Sequence, residues 1–89
     1  MIARKIKVPS ENLIYKYNKD SDILDVYLCK CTSSISEEII EGVYEHFDRK
    51  TDELLGISIE GYNSRNRKEL DMIIPFTLNY KYIDNNVCN

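Results

Sequence analysis

IYKYNKDSDILDVYL, residues 14–28, sets two runs of β-forming residues around the small polar cluster NKDSD. In the first run Tyr15 and Tyr17 fall on one face with Leu13, while Lys16 and Asn18 fall on the other. In the second, Leu24, Val26 and Leu28 alternate with Asp25, Tyr27 and Cys29. A period of two is the signature of a half-buried strand, and so short a connector makes the pair an antiparallel hairpin. The fold then turns on whether NKDSD holds an ion or only reverses the chain. Asn18, Asp20 and Asp22 have the alternate spacing with which a calcium loop begins. The sixth position, where that loop needs glycine, is Ile23, and the twelfth, where a bidentate glutamate closes the shell, is Cys29. Asn and Asp bond their own backbone in tight turns, so the cluster is expected to turn the chain.

The same period continues outward. GVYEHFD (42–48) puts Val43 and Phe47 on one face with Glu45 as a blemish between them, and LLGISIEGY (54–62) sets Leu55, Ile57 and Ile59 against Ser58 and Glu60. DRKTDE joins these two as a second hairpin. In TSSISEE (32–38), Ser34 and Glu37 fit a capping box, but only Ile39 and Ile40 remain before Gly42, so an irregular or extended link is expected. NSRNRKEL (63–70), with Leu70, Ile73 and Ile74 at helical spacing, predicts a short helix that Pro75 stops. Beyond it Phe76, Leu78, Tyr80 and Tyr82 alternate with Thr77, Asn79 and Lys81, which predicts a final strand. IARKIKV near the start alternates weakly as an edge strand, and DNNVCN at the end should fray. The expected fold is α+β and mainly β: an antiparallel meander of four or more strands over 12–62, then a helix and a strand over 63–83 and a tail over 84–89. All of it fits a single domain, 1–89.

Composition narrows the function classes. With 43% hydrophobic and 30% charged residues, the 89-residue chain has the make-up of an ordinary folded domain. Its net charge of −3 disfavours nucleic acid, which is bound through a basic face. RKIK (4–7) and RNRK (65–68) are expected to be solvated edges. No apolar run is long enough for a membrane span, and MIARKIKVPS lacks the apolar core of a signal peptide, so a cytoplasmic protein is expected. Three cysteines are an odd number, and Cys29, Cys31, Cys88 and His46 do not have a zinc spacing. Reduced thiols and no cofactor are expected.

Three stretches carry a resemblance: Y-N-x-x-x-D-x-L-D-V-Y-L at 17–28, E-G-V-Y-E-H-F-D at 41–48 and L-L-G-I-S-I-E at 54–60. Together they resemble the small prokaryotic family called domain of unknown function 2283, over residues 14–62. Lys19 stands where that family often has proline, and Asp52 lies near the place of a common turn glycine. The resemblance implies a small β-meander with a short appended helix and offers no established catalytic residues to carry over. Some members are encoded beside small putative toxins, which implies an antitoxin-like partner role.

The polar sheet face should gather Lys16, Asp25, Tyr27, Tyr44, His46, Ser58 and Glu60. It includes a base, an acid and a hydroxyl, but an open face in so small a chain does not exclude water as nucleophilic catalysis requires. Seven tyrosines without tryptophan suit a contact surface better. The expectation is a non-catalytic module that binds another protein or itself. The alternative is a small enzyme or ligand-binding protein whose site near His46 is completed across a homodimer interface. A symmetric dimer is expected through Phe76, Leu78, Tyr80 and Tyr82, if their strand pairs with a second chain.

Overall fold

The computed structural model describes residues 12–29 and 34–88. The weak strand expected over IARKIKV lies outside the described residues, as does Cys31. The two hairpins form as the period predicts: β1 (Ile14–Asn18) with β2 (Ile23–Tyr27), and β4 (Val43–Asp48) with β5 (Leu54–Glu60). The link before Gly42 is extended enough to become a strand of its own, β3 (Ser34–Ile40), antiparallel to β4. The five strands lie in the order β1-β2-β5-β4-β3. The sheet is antiparallel and mainly β as expected, but β5 stands in its centre, between β2 and β4, rather than at the end of a simple meander.

NKDSD turns the chain, and a side chain directs the turn. Asn18 Oδ1 accepts hydrogen bonds from the backbone N–H of Asp20 at 3.0 Å and of Ser21 at 3.2 Å, and Asp22 closes the turn in the left-handed region at φ 55. The second hairpin repeats the device: Asp48 Oδ1 accepts from Lys50 at 2.8 Å and Thr51 at 2.9 Å, and Asp52 closes at φ 66. Aspartate can hold this conformation because its short side chain tolerates positive φ. Both turns follow one order, aromatic, Asn or Asp, basic, any, Ser or Thr, Asp: Tyr17 to Asp22 and Phe47 to Asp52.

Asp22 does more than turn the chain. Its carboxylate accepts from Tyr17 Oη at 2.7 Å and Asn63 Nδ2 at 3.0 Å, and its carbonyl accepts from Tyr62 N–H at 3.1 Å. These bonds fix where the chain leaves β5. A 3-10 turn (Tyr62–Ser64) leads to helix α1 (Arg67–Ile73), shorter than the expected span and capped by Asn66, whose side chain accepts from Lys68 and Glu69 N–H. Among the described residues no group of three or more His, Cys, Asp or Glu is placed to hold a metal, and no helix is long and apolar enough to cross a membrane.

The final strand predicted from Phe76, Leu78, Tyr80 and Tyr82 does not form. Phe76 and Leu78 are buried in their own chain, at 0% and 4% exposure. Asn79 then caps a short helix, α2 (Tyr80–Tyr82), by accepting from Tyr82 N–H, and a wider helical turn follows over Ile83–Val87. The alternation therefore breaks at Asn79, where a capping side chain outcompetes the pattern. Tyr80 goes to Arg67 and Tyr82 to the Tyr15 ring at 5.5 Å. The stripe on which strand exchange between two chains depended is largely spent within one.

These C-terminal elements cover the inner sheet face. Tyr62, Leu70, Ile74, Phe76, Leu78 and Ile83 form one core with Leu13, Leu24, Val26, Val43, Ile57 and Ile59. Arg67 clasps the cover together: its guanidinium lies between the rings of Tyr62 at 5.2 Å and Tyr80 at 4.9 Å and bonds both carboxylate oxygens of Asp84, at 2.6 and 3.0 Å. Over residues 84–88 the chain packs where fraying was expected: Asp84 joins this clasp and Val87 and Cys88 pack on the core. Arg65, in the same basic cluster, donates to the carbonyls of Glu60 at 2.9 Å and Glu41 at 2.5 Å. Three of the four residues of RNRK, Arg65, Asn66 and Arg67, are thus structural rather than a solvated edge.

The core takes in Ile39 and Ile40 at the end of β3 but stops short of its first residues. In register Glu37 faces Glu45 and Ile35 faces Phe47, on the same side of the sheet as Ile57; Ile35 is 45% exposed. That explains the blemish at Glu45. It lies at the margin of the core, where burial and then the neighbouring Glu37 carboxylate raise its pKa.

Candidate functional site on the outer sheet face

Two cross-strand rows form the centre of the outer face. One runs Lys16, Asp25, Ser58, Tyr44, Glu38; the other runs Tyr27, Gly56, His46, Ser36, with Ile14 beyond Tyr27. Six of the seven residues expected on this face stand in these rows. The seventh, Glu60, lies at the end of β5 opposite Ile23, and with Glu38 its charge pushes the Tyr44 phenol pKa up. Ser36 and Glu38 escaped the sequence reading because β3 was not assigned as a strand.

Hydrogen bonds join four of these side chains into one line. Ser58 donates its hydroxyl hydrogen to Asp25 Oδ1. His46 Nε2 lies 2.6 Å from Ser58 Oγ, and His46 Nδ1 lies 2.7 Å from Ser36 Oγ. Proton counting sets their direction. A hydroxyl has one hydrogen, and Ser58 gives its own to Asp25, so His46 must donate from Nε2. A neutral imidazole then accepts at Nδ1 from Ser36.

Desolvation is the larger influence on His46 and lowers its pKa, with the Asp25 charge acting the other way. The folded-state value therefore lies below that of the unfolded chain. Stability contributed by neutral His46 is complete above about pH 6.5, the ordinary imidazole value, and is lost as pH falls through the folded-state value. An NMR titration of the His46 ring should give a midpoint below about 6.5. A midpoint at or above that value would mean that the imidazole is not held as described.

Gly56 makes room for the aromatic part of the site. A Cβ there would sit 2.4 Å from the Val26 carbonyl oxygen and 2.7 Å from Tyr27 Cδ1. Without one, the Tyr27 ring reaches across to stack on His46, with centroids 5.6 Å apart and planes at 23°. The arrangement can pass a proton from Ser36 to His46 while Asp25, through Ser58, steadies the charged ring. Ser58 itself donates to the carboxylate rather than to the base. A scan against protein-family models finds no match for the chain, and searches of the curated proteins and of the solved structures find none either.

Proposed function

We propose that the chain is a non-catalytic protein-interaction module that docks a partner protein through the outer sheet face. The antitoxin-like partnership implied by the family resemblance is one form this takes. The observation that carries the reading is the line Ser36, His46, Ser58, Asp25. Each donor hydrogen of Ser36, His46 and Ser58 has its acceptor within the line, so a partner can cover these three side chains without stranding a donor. Around them Tyr27, Tyr44 and Ile14, the last 39% exposed, offer contact area.

One observation favours a second reading. The Ser36 hydroxyl donates to a base whose other nitrogen is held through Ser58 by a carboxylate, which is the order of nucleophile, base and orienting acid. A homodimer that covers His46 would supply the exclusion of water that an open sheet face lacks.

The test replaces Tyr44 by a photo-crosslinking p-benzoylphenylalanine in the native host cell. The expected result is one discrete adduct between this chain and another protein. Absence of any adduct overturns docking through this face, and labelling by a fluorophosphonate probe that disappears in Ser36→Ala supports the enzyme instead.

A further inference from the structure

We propose that β3, the edge strand among the described residues, takes up an extended, basic segment of the partner protein as an added strand. The inference rests on the interaction-module reading and names the chemistry of the partner. β3 is the last strand of the described sheet, with β4 as its one described neighbour, so alternate N–H and C=O groups along its seven residues point away from the sheet. Such an edge supplies main-chain bonds to an incoming strand, and the side chains beside it set the preference.

Those side chains alternate. On the inner side stand Ile35 and Glu37, with Phe47 and Glu45 behind them; on the outer side stand Ser36 and Glu38, next to His46 and Tyr44. Neither β3 nor β4 has a lysine or arginine, and Glu41 adds a further carboxylate at their turn. Among the described residues the Glu37–Glu45 pair has no cation within ion-pair distance. An added strand with an apolar residue beside Ile35 and lysine or arginine beside Glu37 and Glu38 would match both the apolar and the charged positions. A second copy of this chain fits worse. Symmetric antiparallel pairing of two β3 strands that keeps Ile35 beside Ile39 sets Glu37 against Glu37, and like charges directly opposite are unfavourable.

The test uses the full chain, labelled with 15N, and an eight-residue peptide alternating lysine and valine. The peptide should slow amide exchange within Ser34–Ile40, and its affinity should fall as salt rises. Glu37→Lys, which also removes the like-charge pair with Glu45 and so should keep the fold, should weaken binding about tenfold or more. The proposal is overturned if β3 gains no protection, if a glutamate–valine peptide binds equally well, or if Glu37→Lys binds unchanged. Protection of β3 that grows with protein concentration alone would assign the edge to a second copy instead. The Tyr44 adduct separates the two readings: an adduct without peptide binding removes only the edge, and peptide binding without an adduct removes only the outer face.

Discussion

A chain ended after Asn63 is expected not to fold. The truncation removes Leu70, Ile74, Phe76, Leu78 and Ile83, each 4% exposed or less. Burial of a large aliphatic or aromatic side chain contributes about 1.5–3 kcal/mol, so five of them together rival the roughly 5–15 kcal/mol net stability of a small domain. The loss does not end there, because Leu24, Val26, Val43, Ile57 and Ile59 would then face water on one side of the sheet. Arg67 and Asp84 leave as well, and with them the clasp on Tyr62. Circular dichroism and a proton–nitrogen correlation spectrum of the truncated chain should show an unfolded polypeptide. A dispersed spectrum would mean that the sheet stands without its cover.

Ile57→Ala should be strongly destabilising. Ile57 is fully buried on the central strand, between Val26 on one side and Glu45 on the other. Its loss should cost about 2–5 kcal/mol, the range for aliphatic-to-alanine changes in a packed core. The denaturation midpoint in urea should fall accordingly. An unchanged midpoint would place Ile57 on the wrong face of β5.

Local chemistry made the hairpins legible. Asn18 and Asp48 start the two turns, and the period of two on either side fixes which residues face inward. The shared order from Tyr17 to Asp22 and from Phe47 to Asp52 was an available signal that both turns are alike. β3 was hidden because the core covers it poorly. Its inner side carries Glu37 as well as Ile35, and SISEEII has no clean alternation for that reason. At Phe76 to Tyr82 the pattern was clean and misleading, since only Asn79 told of the helical turn. The outer-face candidates came together because β2, β4 and β5 were each assigned correctly. The line through Ser36 needed β3. The position of β5 depends on pairing with β2, distant in sequence, which no local pattern records.

The central place of β5 has a kinetic consequence. β1 and β2 can close as a hairpin early, and β3 and β4 can do the same, but the two halves share no strand pairing until residues 54–60 lie between them. Isolated hairpins are barely stable in water, so neither half persists as a structured intermediate. The cost in loop entropy of bringing β2 to β5 is met only when Leu24, Ile59 and Val43 meet across three strands. Folding of the sheet and formation of its core are then expected to be one event that involves β5, with single-exponential refolding as the check. In stopped-flow measurements Ile57→Ala should slow refolding, whereas Ile35→Ala should chiefly hasten unfolding.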